Sequence, residues 1–309
     1  MSQALLDNQT IDDIFAGLQA EQASISPKYF YDEIGSHLFE AITFLEEYYP
    51  TRTEKDIMLQ NKQAIAKAIG PCDVLLDLGA GNCQKGSALF DSLRPKEYRA
   101  LDISKEFLEQ AILGLQKEYP HILMQAQACD LQDQLSFPDL KDRNKTFFYP
   151  GSSIGNFDPE EACDLFKNIL QVCSGNGGLL IGVDLIKDRT VLSRAYNDSL
   201  GITAAFNKNI LLHLNRLVGT DFELENWVHY AIFNEASGRI EMYLRATQQQ
   251  VVSWGGGQRQ FEVGELIHTE NSYKYTQEKF ESLLLSAGFR GVHSWTDSKH
   301  HFLVTYAFA

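Results

Sequence analysis

The chain has few cysteines, and none of them is spaced for a metal ion. Its 309 residues include five cysteines, and no two form a Cys-x-x-Cys pair. An odd number without that spacing predicts neither a disulfide framework nor a zinc site. We therefore expect buried thiols and no bound metal. The five are Cys72, Cys83, Cys129, Cys163 and Cys173.

Basic residues are also scarce. The sequence has 27 lysines and arginines against 41 aspartates and glutamates, which gives a net charge of -14 at pH 7. A surface of that charge repels a phosphate backbone, and no basic stripe interrupts it. The composition therefore predicts a small-molecule substrate and no nucleic-acid partner.

Long apolar runs are absent too. No run reaches the length that spans a bilayer, and residues 1–3 are polar where a signal peptide has a basic start. We therefore expect a cytoplasmic protein that has no membrane partner. A monomer is expected as well. Hydrophobic residues still make up 44% of the chain, so it can bury a sizeable core in one large or two modest domains.

The most informative stretch is residues 76–85, with the sequence LDLGAGNCQK. The apolar run from Val74 to Leu78 is short enough for a buried parallel strand. Gly79 and Gly81 then allow a sharp turn and a close approach of the backbone to a ligand, because neither has a Cβ. The pattern is typical of a nucleotide-cofactor loop.

Two classes of cofactor use such a loop. A dinucleotide fingerprint needs its third glycine at position 84, and this chain has Gln84 there. An acidic residue ahead of the two glycines, here Asp77, resembles instead the first motif of S-adenosylmethionine (SAM) methyltransferases, although Cys83 replaces their usual third glycine. The pattern therefore favours SAM over NAD.

Acidic residues also end the next two predicted strands. The strand from Tyr98 to Leu101 is followed by Asp102, and a third apolar stretch ends at Asp130. Doubly wound folds bind ligands at the carboxyl ends of parallel strands, and Asp102 stands where a carboxylate accepts the ribose hydroxyls. Asp130 is a candidate for the adenine edge. The alternative is that both aspartates are only turn residues.

Strand and helix patterns alternate from about residue 72 to 186, which predicts a parallel sheet covered on both faces. Residues 292–295 and 302–308 predict a final antiparallel pair of strands. Between about 187 and 275, turns at 234–238 and 255–257 predict antiparallel hairpins instead. The predicted fold class is therefore α/β, with a doubly wound, mostly parallel sheet and an α+β substrate-binding lid. We expect a SAM-binding domain of residues 56–186 plus 277–309, and a substrate-binding domain of residues 1–55 plus 187–276.

Several segments together resemble one family over nearly the whole chain. Residues 28–40 (KYFYDEIGSHLFE) and 47–54 (EYYPTRTE) resemble the opening of the histidine-specific SAM-dependent methyltransferases of ergothioneine biosynthesis. The likeness continues through residues 151–156, 184–188, 194–196, 204–209, 241–242 and 269–272. It implies a Rossmann-like, class I SAM methyltransferase fold. It also implies methylation of the α-amino nitrogen of L-histidine, repeated to the trimethylated betaine hercynine.

The resemblance also implies roles for particular residues. It places Lys85 on the carboxylate of SAM and Tyr31 near the methylated nitrogen, and it assigns the amine and carboxylate of histidine to Asn156 and Tyr196. Tyr31 and Asn156 are thus the catalytic candidates. The implied SAM-binding residues are Gly79, Gly81, Lys85, Asp102 and Asp130. The implied histidine-binding residues are Tyr48, Asn156, Tyr196, Met242, Glu270 and Ser272, of which Tyr48, Glu270 and Ser272 address the imidazole.

Plainer interpretations stay open for several of these residues. Tyr48 stands beside another tyrosine and a proline, a pattern that packing alone explains. Met242 alternates with apolar residues and would be core by default. Glu270 and Ser272, two positions apart on a strand, share a face, but a solvated face would do the same.

Two other functions also remain open. The chain could methylate another amino acid, and only the imidazole contacts would tell the two activities apart. It could also be a SAM- or nucleotide-binding regulator without catalysis. The amino-acid pocket implied by the resemblance argues against the regulator, because a pure sensor has no use for it.

Overall fold

The computed structural model describes residues 8–103, 105–131 and 133–309. The polar start at residues 1–3 lies outside the described residues. Within the described ranges, no helix is both long enough and apolar enough to cross a membrane. These residues form two compact units. The insert unit comprises the described residues up to Tyr49 together with Asp188–Ser272, and the sheet unit comprises Pro50–Lys187 together with Tyr273–Ala309.

The elements are numbered in chain order over the described residues. The α-helices are α1 Asn8–Gln19, α2 Glu33–Thr43, α3 Pro50–Gln60, α4 Lys62–Ile69, α5 Gln84–Ser87, α6 Phe90–Leu93, α7 Lys105–Glu118, α8 Pro159–Cys173, α9 Arg189–Tyr196, α10 Ile202–Val218 and α11 Gln277–Ser286. The strands are β1 Val74–Leu78, β2 Glu97–Asp102, β3 Leu123–Ala128, β4 Lys145–Tyr149, β5 Gly177–Asp184, β6 Trp227–Asn234, β7 Arg239–Ala246, β8 Gln250–Trp254, β9 Gly257–Phe261, β10 Leu266–Tyr273, β11 Gly291–Thr296 and β12 Phe302–Phe308.

A seven-stranded sheet forms the centre of the sheet unit, in the order β3-β2-β1-β4-β5-β12-β11. Strands β1 to β5 pair in parallel, whereas β12 is antiparallel to both of its neighbours. The predicted doubly wound, mostly parallel sheet with its final antiparallel pair is therefore confirmed. The strand order reverses between β1 and β4, so the ligand crevice of such a fold is expected outside the carboxyl ends of these two strands.

The central strands β1 and β4 are buried on both faces, although β1 carries Asp77 and β4 begins with Lys145 and Thr146. All five residues of β1 are buried, and so are all five of β4. Alternate residues of β1 enter different clusters: Leu76 packs in the cluster that includes residues of α8 and α11, and Leu75 packs in the cluster that includes residues of α3, α4 and α6. Helices thus cover both faces, as a parallel sheet requires.

The insert unit is a separate α+β structure. Strands β10, β7 and β6 form a three-stranded sheet, and β8 pairs with β9. The β6–β7 and β8–β9 pairs are antiparallel, which confirms the predicted hairpins. The long helix α10 packs against α2 and β6. The core of the insert unit includes the fully buried side chains of Leu18, Trp227 and Phe261.

Candidate active site

The loop after β1 is bent by residues with left-handed backbone. Gly79 and Gly81 have φ values of 66° and 52°. The amide nitrogens of Gly79 and Ala80 both donate to the carbonyl oxygen of Leu101, at 2.8 and 3.1 Å, so the loop is tied to the neighbouring strand β2. A Cβ atom on Gly81 would meet no atom within 4 Å, and one on Gly79 would only approach Tyr149 at 4.0 Å. The backbone at Gly79 and Gly81 therefore faces space that a ligand could occupy, as in a loop that binds a nucleotide cofactor.

Cys83 stands where the first motif of SAM methyltransferases usually has a third glycine. Its φ of 60° lies in the left-handed region, which explains why glycine is usual at this position. The side chain is fully buried, and burial raises the pKa of the thiol to about 12. A non-glycine residue in this backbone conformation costs roughly 1–2 kcal/mol, and Cys83 adopts it with its side chain buried.

Asp77 is a buried carboxyl group beneath this loop. The hydroxyl of Tyr98 donates to its Oδ2 atom at 2.6 Å. Burial raises the pKa of Asp77 to about 7, although the Tyr98 hydrogen bond and the charge of Lys85 oppose the shift. A Cβ atom on Gly86 would lie 2.2 Å from the same oxygen. Gly86, which no sequence motif singles out, is therefore needed to make room for the carboxylate.

Asp102 and Asp130 lie at the carboxyl ends of two neighbouring strands of the sheet, β2 and β3. Asp102 is the last residue of β2, and its Oδ2 atom accepts a hydrogen bond of 3.0 Å from the amide of Gly81. Asp130 lies two residues beyond β3. Both side chains are half-buried. The Asp102 carboxylate thus touches the glycine loop directly.

Lys85 lies in the short helix α5 that follows the loop. Its ammonium is 2.7 Å from the Oε2 atom of Glu54, a buried residue of α3. No local sequence pattern links Glu54 to Lys85, since the two residues are 31 positions apart. The structure therefore adds a partner for the lysine that the resemblance assigns to the SAM carboxylate.

Asn156 lies beyond β4, on the other side of the point where the strand order reverses. It ends a 3-10 helix over Ser153–Asn156 that follows two left-handed residues, Gly151 and Ser152. The buried Oγ atom of Ser152 accepts a hydrogen bond of 2.9 Å from the amide of Asp184 in β5. This bond fixes the turn that carries Asn156.

Two further candidates are in direct contact within the insert unit. Tyr196 is the last residue of α9, and its hydroxyl donates to the Oγ atom of Ser272 at 2.8 Å. Glu270 and Ser272 lie on the same face of β10, and their exposures are only 7% and 4%. The interpretation of these two residues as a solvated face is therefore wrong.

Aromatic rings surround the tyrosine candidates of the insert unit. The ring centroid of Phe39 lies 5.8 Å from that of Tyr31 and 6.2 Å from that of Tyr48. Phe206 lies 5.8 Å from Tyr31. Tyr48 is buried, whereas Tyr31 is half-buried. Met242 is also buried, between the fully buried Ile240 and Leu244 of the same strand, and belongs to the apolar core.

Comparison with known proteins places the chain in a family. Residues 10–309 match the model of a family described as histidine-specific methyltransferase, SAM-dependent. The chain is 38% identical to the histidine N-alpha-methyltransferase of Mycolicibacterium smegmatis, over 92% of this chain and 90% of that protein. It is 36% identical to the protein of the same name from Mycobacterium tuberculosis, over 94% of this chain and 92% of that protein.

A fungal relative is longer. Ergothioneine biosynthesis protein 1 of Neurospora crassa is 33% identical over 86% of this chain, which corresponds to 31% of that protein. The match to the family model spans both units of the structure and agrees with the class I SAM methyltransferase fold predicted above. The chain therefore belongs to the family of histidine-specific, SAM-dependent methyltransferases.

Proposed function

We propose that this chain transfers methyl groups from SAM to the α-amino nitrogen of L-histidine, up to the trimethylated product hercynine. The observation that carries the proposal is its similarity, over nine-tenths of its length, to relatives named histidine N-alpha-methyltransferase. The name of the fungal relative supports a role in ergothioneine biosynthesis.

The glycine loop and the acidic strand ends fit the cofactor. Bound SAM would supply an electrophilic methyl group on its sulfonium. In this proposal, the bare backbone at Gly79 and Gly81 lies against the cofactor, Asp102 accepts its ribose hydroxyls, and Asp130 serves the adenine edge. Lys85 binds its carboxylate. The open space above both glycines supports this assignment.

The buried polar side chains of β10 fit the imidazole. A carboxylate at Glu270 can accept the ring N–H, and the hydroxyl of Ser272 can serve the other ring nitrogen. Tyr48 completes this set, with Met242 as an apolar wall. Both side chains are buried on the same face of β10, and Ser272 accepts a hydrogen bond from Tyr196, the residue assigned to the amino-acid group of histidine; this arrangement supports the assignment.

Asn156 and Tyr196 are assigned to the amine and carboxylate of histidine, and Tyr31 to the neighbourhood of the nitrogen. Methylation of an amine depends mostly on positioning and on a neutral lone pair. An amino group with a pKa of roughly 9 needs only to lose its proton on binding, and a tyrosine hydroxyl or a water molecule can direct that. The electron-rich ring of Tyr31 can also stabilise the quaternary ammonium of the product.

The test is a screen of the proteinogenic amino acids with the purified chain and SAM, read by mass spectrometry. We expect histidine to gain one, two and then three methyl groups. Nα-acetylhistidine is the matched control, because its imidazole is intact and its amine is blocked, so it should gain none. Preferential methylation of another amino acid would replace the substrate. SAM binding without turnover of any amino acid would indicate a regulator.

A further inference from the structure

Glu54 uses both of its carboxylate oxygens inside the sheet unit. Its side chain is 4% exposed. The Oε2 atom accepts from the ammonium of Lys85 at 2.7 Å, and the Oε1 atom accepts from the amide of Gly151 at 2.8 Å. Lys85 follows the loop after β1, and Gly151 begins the turn after β4. One buried carboxylate thus joins the two segments that flank the point where the strand order reverses.

The surrounding backbone makes room for this carboxylate. Gly182 lies inside β5, where a glycine weakens a strand unless another group approaches closely. A Cβ atom there would lie 2.0 Å from the Oε1 atom of Glu54. Similarly, a Cβ atom on Gly151 would lie 3.1 Å from the ammonium of Lys85. The buried carboxylate therefore accounts for Gly182, whereas Gly151 is favoured by its left-handed backbone, with φ 82°, as well as by the nearby ammonium.

The pair leaves Lys85 able to bind an anion. A lysine ammonium can donate three hydrogen bonds, and the Lys85 side chain remains 39% exposed although Glu54 is buried. A flexible four-carbon side chain of that exposure would otherwise sample many rotamers, and ordering it on binding would weaken affinity. The buried carboxylate fixes the ammonium before a ligand arrives.

We infer that Glu54 is a positioning residue for recognition of the cofactor's carboxylate. It holds the Lys85 ammonium and the Gly151 turn in place and does not itself contact the cofactor. This inference rests on the proposed function, in which Lys85 binds the carboxylate of SAM.

The test compares two adenosine ligands by calorimetry. S-adenosylhomocysteine carries the amino-acid carboxylate, whereas 5′-methylthioadenosine lacks the whole amino-acid part. We expect Glu54→Gln to weaken binding of S-adenosylhomocysteine on the order of tenfold, because its amide has a single acceptor oxygen and cannot accept from both Lys85 and Gly151. Binding of 5′-methylthioadenosine should stay unchanged. Asp164→Asn is the matched control, since it breaks an exposed carboxylate–lysine pair with Lys167 on α8 and should alter neither affinity.

A second variant separates positioning from folding. Lys85→Met should also lower the affinity for S-adenosylhomocysteine selectively, and adding Glu54→Gln to it should cause no further loss, because the residue that Glu54 positions is gone. If Glu54→Gln does not fold, Glu54→Asp retains the charge but is too short to reach both partners. It should then show the same selective loss.

The outcomes distinguish this inference from the function on which it rests. Equal weakening of both ligands, or an unchanged ratio of their affinities, would overturn the positioning role while leaving the cofactor assignment intact. A wild-type chain that binds both ligands equally tightly would also overturn the positioning role, since no residue would then recognise the amino-acid carboxylate of the ligand. A wild-type chain that binds neither would overturn the proposed function and this inference together.

Discussion

The hydroxyl of Tyr196 donates a hydrogen bond of 2.8 Å to the Oγ atom of Ser272, 76 positions further along the chain. In the proposed function these residues serve opposite ends of the histidine, Tyr196 the amino-acid group and Ser272 the imidazole. An oxygen that accepts from one hydroxyl can also donate its own hydrogen, so the pair forms a directed chain of hydrogen bonds. Changes to either hydroxyl should therefore affect substrate binding as a whole.

Tyr196→Phe should raise the KM for histidine on the order of tenfold, because the phenyl ring retains the packing but leaves Ser272 without this donor. Affinity for S-adenosylhomocysteine should not change. Steady-state kinetics and calorimetry on the same preparation check both statements. Tyr230→Phe, in the same unit, is the control and should leave both values as they are. An equal loss of cofactor affinity in Tyr196→Phe would remove Tyr196 from the substrate set.

The elements of the fold could be predicted where the signal is local. An apolar run followed by two glycines predicts a buried strand and a bend, and the structure has β1 at the predicted residues Val74–Leu78. The parallel sheet followed from the regular alternation of strands and helices. In both cases the signal consists of short local patterns and their order along the chain, since each pattern reflects burial of the strand itself.

The contacts of the site could not be predicted in this way. Glu54 meets Lys85 across 31 positions, and the pairing depends on how α3 packs beside the sheet. Gly86 looks like an unfavourable residue in a short helix until the position of Asp77 is known. A period of two places Glu270 and Ser272 on one face of β10, but it does not tell which face is buried.

Asp102 provides a test of the cofactor. Asp102→Ala should weaken binding of S-adenosylhomocysteine by at least about tenfold, since hydrogen bonds to a charged group contribute about 1.5–3 kcal/mol. Asp102→Asn retains an acceptor for the Gly81 amide and should lose less. Calorimetry with both variants checks the order, and NAD should not bind the wild type. Tight NAD binding, or an alanine variant with wild-type affinity, would contradict the assignment.

Asp77 predicts a pH dependence of folding stability. The pKa of this carboxyl is raised to about 7 in the folded chain, chiefly by burial, against about 3.9 when unfolded. The folded state therefore holds the proton more tightly. The resulting stabilisation is fully present below about pH 4 and is lost as the pH rises through about 7.

Asp77→Asn retains an acceptor for Tyr98 and removes this titration. Between about pH 5 and pH 8, the free energy of unfolding of the wild type should fall, relative to that of the variant, by about 3 kcal/mol. Urea unfolding across this range measures the difference. Parallel pH profiles for the two proteins would show that Asp77 does not titrate here.

Gly86 and Gly114 form a matched pair of glycine-to-alanine tests. A Cβ atom at Gly86 would lie 2.2 Å from Asp77, whereas one at Gly114, on the exposed side of α7, would meet nothing within 4 Å. Gly86→Ala should therefore lower the free energy of unfolding by roughly 1–3 kcal/mol. Gly114→Ala should raise it by roughly 0.5–1 kcal/mol, since alanine favours a helix. Equal effects at both positions would refute the close approach at Asp77.

Glu270 tests the identity of the substrate. A site built to hydrogen-bond a ring rejects an analogue without those groups by a factor on the order of 10⁴, because its own polar groups are left unpaired. Phenylalanine should therefore be a very poor substrate of the wild type. Glu270 is 7% exposed, so Glu270→Ala should both lose histidine activity and open space. Its kcat/KM for larger aromatic amino acids should then approach that for histidine.

Glu270→Gln is the matched variant, because it preserves the volume and one acceptor oxygen but removes the charge. Its selectivity for histidine over phenylalanine should fall between those of the wild type and Glu270→Ala, as measured by competition between the two amino acids in one reaction. If Glu270→Ala keeps the full selectivity, the carboxylate does not read the imidazole. If the wild type methylates tyrosine or tryptophan as readily as histidine, the pocket recognises an aromatic ring and not its nitrogens. The activity would then be methylation of another amino acid.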